Sequence, residues 1–220
     1  MSLRSYFVKI CCISSAAEAE LAIRHGASAL GLVSRMPSGP GVISEAMIAE
    51  IVTAVRRRAE TVLLTSESDP DVIMAQVERC KVTGVQLCAW LDEDARRTLR
   101  ILTPNTMLMQ VVHVIDPSAI DRAQTAQRHV DRILLDSGTL SGPVQELGGT
   151  GRTHDWTVSR EIVDSVDVPV LLAGGLHAEN VQDACRMVEP FGVDVCSGVR
   201  RDGSLDESRL TTFFDALPSV

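Results

Sequence analysis

An α/β chain is expected, and three observations carry that expectation. Hydrophobic residues make up 45% of the 220 residues but aromatic ones only 3%. The core must therefore be built from Val, Leu, Ile and Ala, which suits buried parallel strands under helices. Short runs of these residues recur eight times, and the segments between them place apolar residues at i, i+3, i+4 and i+7. Strict alternation makes the sheet parallel with right-handed crossovers, and eight repeats close it as a single (β/α)8 TIM barrel over residues 1–220. An open doubly wound sheet is the competing arrangement. Spread over eight units, 220 residues leave roughly 28 each, enough for a strand, a helix and two tight loops.

The first strand is expected at 7–10, followed by a capping box of Ser15 and Glu18 that opens a helix stopped by Gly26. The second, 29–33, leads to a helix with the stripe Ile48, Ile51, Val52 and Val55. Arg56, Arg57 and Arg58 end that helix, where positive charge complements its dipole. After a third strand at 61–64, Asp69 and Pro70 read as an N-cap followed by proline, and Gly84 reads as the stop before strand four at 84–87. Strand five, 107–112, is followed by a second Asp-Pro start at Asp116 and Pro117. Strand six, 132–135, precedes a long loop from Ser137 to Thr153, and loops of that length in compact domains are functional candidates. Strand seven, 168–173, leads to a helix with Val181, Ala184, Cys185 and Val188 on one face. Strand eight, 193–197, precedes a capping box of Ser204 and Glu207.

The charge balance, 21 basic against 29 acidic residues and a net −8, argues against nucleic acid as a partner, since a polyanion needs a basic footprint. The apolar stretch Tyr6-Phe7-Val8 is broken at Lys9 and is too short for a signal peptide or a membrane span. A cytoplasmic protein with no membrane partner is expected. Six cysteines (11, 12, 80, 88, 185, 196) contain no C-x-x-C and read as reduced. Five histidines show no ligand spacing, so no metal is called for. Neighbouring residues of a strand point to opposite faces, so Cys11 and Cys12 are expected on opposite sides of the end of strand one, neither a redox couple nor a metal clamp.

In such a barrel, active-site groups follow the C-terminal ends of the strands. Those positions are Cys11 and Cys12, Ser34 and Arg35, Cys88, His113, Asp136 and Ser137, Gly174 and Gly175, and Ser197 and Gly198. The ends of strands seven and eight, "LLAGGL" and "VCSGVR", present glycines and backbone N–H groups suited to a phosphate, although glycines also serve tight turns. Asp136 reads as a pocket carboxyl, a cap or an ion-pair member; Cys11 reads as a pocket thiol or a small buried hydrophobe. "GGTGRT" (148–153) lacks the P-loop and dinucleotide spacings and reads as a lid.

Taken in order, "VKIC" (8–11), "GASALGLV" (26–33), "GVQL" (84–87), "LLDS" (134–137), "GGTGRTHDW" (148–156), "LAGGLHAENV" (172–181) and "FGVDVCSGV" (191–199) resemble the phosphoribosylanthranilate isomerase family. The resemblance implies an aldose–ketose isomerase of tryptophan biosynthesis. It would carry out an Amadori rearrangement of N-(5'-phosphoribosyl)anthranilate to the aminoketose by acid–base catalysis, with no cofactor. It further implies Cys11 as general base and Asp136 as general acid. The substrate phosphate would lie between Gly174-Gly175 and Ser197-Gly198, under a loop carrying Gly149, Thr150 and Gly151. Its partner would be a small phosphorylated molecule, and the chain a monomer or homodimer. The chemistry needs a thiol that is partly ionised and a carboxyl that keeps its proton, so the site must favour opposite charge states in the two groups.

Four positions depart from the family's pattern. Cys12 replaces the glycine of K-I-C-G. Gly41, in "GPGVIS" (39–44), replaces the arginine of S-P-R-x-I-S, which in the family binds the anthranilate carboxylate; Arg35 on the same loop is the candidate replacement. Cys88, in "VQLCAW", replaces the histidine of V-Q-L-H-G, and Arg200 replaces an acidic residue after S-G-V. These changes fall on the aglycone side. They leave open a paralogous barrel isomerase for another phosphorylated aminosugar, or a non-catalytic barrel that binds a phosphometabolite.

Overall fold

The structure, a computed structural model, describes residues 6–37, 39–137 and 154–218. Eight parallel strands close into a barrel in sequence order: β1 (Phe7–Ile10), β2 (Ala29–Val33), β3 (Glu60–Thr65), β4 (Gly84–Leu87), β5 (Met107–His113), β6 (Arg132–Asp136), β7 (Val170–Leu172) and β8 (Gly192–Val195). The seam between β1 and β8 pairs Lys9 with Asp194 and Ile10 with Val195. Helices α1 (Ala16–Arg24), α2 (Glu45–Val55), α3 (Pro70–Cys80), α4 (Glu93–Leu102), α5 (Ala119–Ala126), α6 (Trp156–Ser165), α7 (Val181–Val188) and α8 (Glu207–Asp215) follow the strands in turn.

Period-two alternation divides the core into two layers. Ile10, Leu32, Leu63, Leu135 and Val193 face outward and pack with Ile48, Ile51 and Val181 of the helices. Cys11, Val33, Leu64, Met109, Leu134 and Leu171 face inward as a smaller cluster that floors the barrel mouth. The helix starts follow local chemistry: Ser15 and Asp69 accept hydrogen bonds from the N–H groups of Glu18 and Asp71 as N-caps of α1 and α3.

Several boundaries differ from the sequence reading. Pro169 has no N–H to offer, and β7 is confined to Val170–Leu172. The last strand stops at Val195, and Ser197–Val199 form a single 3-10 turn. Gly84 begins β4 rather than ending a helix; α3 is stopped by Lys81 in a left-handed conformation at φ 56°. The N-cap of α5 is Ser118, with the Asp116 carboxylate accepting the Ser118 N–H at 2.8 Å. Ser204 opens no helix. It belongs to a hairpin of β9 (Arg200–Arg201) and β10 (Ser204–Leu205), turned by Asp202 and Gly203 at φ 51° and 81°, and Asp206 caps α8 instead.

Candidate active site

Lys9 and Asp194 face each other in register across the β1–β8 seam, both pointing inward, with Nζ 2.8 Å from Oδ1. Their side chains are 0% and 10% exposed. Burial alone would discharge the Lys9 ammonium, but Asp194 and then Cys11 outweigh it and hold its pKa above the ordinary lysine value. Gly31 on β2 makes room for this arrangement. A Cβ built there would meet Cys11 Sγ at 3.0 Å and Lys9 Nζ at 3.1 Å, so the thiol and the ammonium lie side by side over the bare backbone.

Asp136 ends β6 and is buried. Desolvation pushes its pKa up to about 6 against the hydrogen bond it accepts from the Ser137 N–H at 2.8 Å; Asp194 adds to the rise and Lys9 opposes it. With that value about a tenth of this carboxyl still carries its proton at pH 7, far more than an ordinary aspartate. The next turn is packed closely against it: Gly174, at φ 83°, would bring a Cβ within 2.7 Å of Ser137 Oγ. Only glycine fits there.

Cys11, Asp136, Gly174, Gly175 and Ser197 line one cavity at the barrel mouth. Gly198 lies outside this lining. It borders the adjoining groove, together with Gly175, Ser197, His177 and Arg209. A Cβ at 198 would stand 2.1 Å from the Leu176 carbonyl oxygen, so its glycine lets the turn after β8 dock on the loop after β7. Arg35 is exposed and does not line the cavity; its loop contributes Met36, Gly39 and Pro40 instead. Gly149, Thr150 and Gly151 fall outside the described residues, and of the 148–156 motif only His154, Asp155 and Trp156 are described, Asp155 capping α6. Ser34 turns its hydroxyl to the Leu64 carbonyl at 2.8 Å. His113 is level with Asp136 in the β5–β6 register but does not line the cavity, and burial followed by the Arg122 charge brings its pKa down to about 4.

Cys12 corrects the expectation of opposite faces. The chain has left β1, and a left-handed conformation at φ 62° turns the side chain back into the same cavity, with Sγ 3.9 Å from Cys11 Sγ and 3.1 Å from Cys196 Sγ. Arg200 clasps this loop from behind. It donates to the carbonyls of Cys12 (2.5 Å) and Cys11 (3.2 Å) and pairs with Glu18 at 3.0 Å. Cys88 also lines the cavity, and burial, then Cys11, push its thiol up to about 12. Among the described residues no group of three or more His, Cys, Asp and Glu is arranged to hold a metal, and no helix is long and apolar enough to cross a membrane.

Sequence reasoning missed Lys9, Asp194 and Cys196. A signal existed for the first two. Each is a charged residue inside an apolar strand, two positions before a strand-end residue, and such residues are rarely buried without a partner.

Comparison with known proteins agrees with this architecture. The profile of a family described as N-(5'phosphoribosyl)anthranilate (PRA) isomerase matches residues 8–216. N-(5'-phosphoribosyl)anthranilate isomerase 2 of Methanosarcina mazei is 36% identical over 94% of this chain and 91% of its own. The phosphoribosyl anthranilate isomerase structure from Thermotoga maritima superposes with a TM-score of 0.82 at 27% identity, covering 96% of this chain and 98% of that one. A phosphoribosyl anthranilate isomerase in complex with reduced 1-(o-carboxyphenylamino)-1-deoxyribulose 5-phosphate gives a TM-score of 0.80 at 25% identity, over 96% of this chain and 97% of its own. The chain belongs to the N-(5'-phosphoribosyl)anthranilate isomerase family, aldose–ketose isomerases of tryptophan biosynthesis.

Proposed function

We propose that Asp136 is the general acid and Cys11 the general base with which this chain rearranges N-(5'-phosphoribosyl)anthranilate. The observation that carries the assignment is a single cavity lined by a buried carboxyl with raised pKa and by a thiol lying beside the Lys9 ammonium. Protonated Asp136 delivers its proton to the ribose ring oxygen as the C1'–O bond breaks, and the anilino nitrogen lone pair forms a protonated imine. That cation acidifies the C2' hydrogen. The Cys11 thiolate removes it, and the electrons of the C–H bond flow to the imine nitrogen, leaving an enolamine that tautomerises to the aminoketose. The Lys9 ammonium stands beside this sulfur at the floor of the cavity.

Gly174, Gly175 and Ser197 offer backbone N–H groups to the 5'-phosphate, with Gly198 closing the turn. That one relative is held in a structure with a 5-phosphate analogue supports this class of ligand. The anthranilate ring then lies toward Cys12, Met36, Pro40 and Cys88, where no Arg or Lys is among the described lining residues. Arg35, exposed on the same loop, is the cation assigned to the substrate carboxylate. A crystal structure with the reduced aminoketose analogue tests the placement. Cys11 Sγ should approach C2' to about 3.5 Å, with Asp136 near O4' and the phosphate on Gly174, Gly175 and Ser197. A ligand with C2' turned away from Cys11 overturns it.

A further inference from the structure

The sulfurs of Cys12 and Cys196 stand 3.1 Å apart although 184 positions separate them in the chain. The barrel seam brings them together, Cys12 two residues beyond Ile10 and Cys196 one beyond Val195, the last pair of the seam, where Cys11 N–H still bonds the Val195 carbonyl at 2.9 Å. Both line the open cavity and Cys196 is partly exposed, so small solutes reach them. Arg200 adds a cation: its guanidinium bonds the Cys12 carbonyl and its charge acts on Cys196. The two thiols take opposite roles. Hydrogen bonds with Cys11 and Cys196, then burial, hold Cys12 protonated, whereas the bond with Cys12, against burial and with help from Arg200, holds Cys196 below the ordinary thiol range. The mechanism proposed above uses neither. Glycine would occupy the left-handed position 12 without strain, so the thiol is accommodated there at a conformational cost.

We infer that Cys12 and Cys196 form a second reactive site, a thiol pair that hydrogen peroxide or another small hydroperoxide converts into a disulfide at the cavity mouth. The Cys196 thiolate attacks one peroxide oxygen; an S–O bond forms, the O–O bond breaks, and the departing hydroxide takes a proton to become water. Cys12 sulfur then attacks the sulfenic sulfur, the S–S bond forms, and hydroxide leaves with the Cys12 proton as a second water. The two sulfurs lose two electrons and the peroxide gains them. Reaching a disulfide bond of about 2.05 Å asks for a closure on the order of 1 Å. The bridge ties the loop after β1 to the loop after β8, one residue from Cys11 and one from Ser197, so turnover falls as it forms and returns on reduction.

The test treats the full chain with hydrogen peroxide, blocks free thiols with N-ethylmaleimide, digests without reductant and maps peptides by mass. A Cys12–Cys196 peptide two hydrogens lighter than its parts, released by dithiothreitol, is expected in wild type and Cys80→Ala. It should be absent in Cys12→Gly, which the left-handed backbone accepts, and in Cys196→Ala. Wild-type activity should fall with the linked fraction and recover with dithiothreitol. Cys12 and Cys196 both recovered as alkylated thiols after peroxide, or a bridge from Cys196 to Cys11, overturns the inference. Because the readout is a mass, it stands or fails independently of the role of Cys11.

Discussion

Gly41 and Cys12 compete for one space: a Cβ built on Gly41 would lie 2.6 Å from Cβ of Cys12. What look in sequence like two separate departures are therefore a single exchange, in which a side chain on the β1 loop displaces one from the loop after β2. Gly41 also sits at φ 77°, where any side chain is strained. Gly41→Arg alone should lose about 3 kcal/mol of stability from clash and strain together. In the Cys12→Gly background the same change should lose at least about 1 kcal/mol less, and should lower KM roughly tenfold by adding a second charged hydrogen bond, beside that of Arg35, to the substrate carboxylate. Urea denaturation of the four proteins of this cycle and their steady-state kinetics check both; additive stability losses would contradict the shared space.

The raised pKa of Asp136 makes a signed prediction. Between about 3.8, its ordinary value, and about 6, the folded protein binds a proton that the unfolded chain has released, so stability falls as pH rises through this window. The gap corresponds to about 3 kcal/mol. Asp136→Asn removes the dependence, so its stability relative to wild type should rise by about that amount between pH 4 and pH 7 in urea titrations. Turnover reads the same proton: the wild-type kcat/KM profile should show an inflection near 6, where the acid titrates, that Asp136→Asn lacks.

The Lys9–Asp194 pair separates fold from chemistry. Lys9→Met leaves Asp194 buried without its cation and should lose about 3–5 kcal/mol. Lys9→Met with Asp194→Leu should regain most of that stability, because an apolar pair of similar volume suits the barrel interior. The double variant should still lose at least about tenfold in kcat, since the ammonium beside Cys11 is gone. Steady-state rates of the folded double variant give the answer. Wild-type turnover in it would remove Lys9 from the mechanism.

Arg200 and Glu18 are 8% and 14% exposed and share bonds with the β1 loop and with Leu205 N–H. Reversing the charge with Arg200→Glu sets two carboxylates against each other and against the Cys11 and Cys12 carbonyls, and should lose about 3–5 kcal/mol. In Arg200→Ala with Glu18→Ala, the losses should be less than additive by about 1–2 kcal/mol in denaturant titrations.

The barrel was legible because each strand announces itself as a short apolar run, and the layer to which Ile10, Leu32 or Leu134 belongs follows from alternation alone. Less legible features depended on single backbone angles or on contacts across the seam. Cys12 follows Cys11 in sequence, so alternation assigned it the opposite face; one positive φ reverses that assignment. Asp202-Gly203 is a hairpin signal hidden because Ser204 and Glu207 also mimic a helix start. The strand-end rule reached Cys11, Asp136, Gly174, Gly175 and Ser197, but Lys9 and Asp194 sit one layer deeper, where a search confined to strand ends does not look. Cys196 is found only by applying barrel closure to the ends of β1 and β8.

The central claim, that Cys11 and Asp136 divide the proton transfers between them, is tested most directly by turnover of N-(5'-phosphoribosyl)anthranilate, followed by loss of its fluorescence, in Cys11→Ser and Asp136→Asn. Each should lose at least about a hundredfold in kcat while remaining folded, and Cys80→Ala on α3 should keep wild-type rates. Turnover that survives both substitutions within a few fold would contradict the assignment.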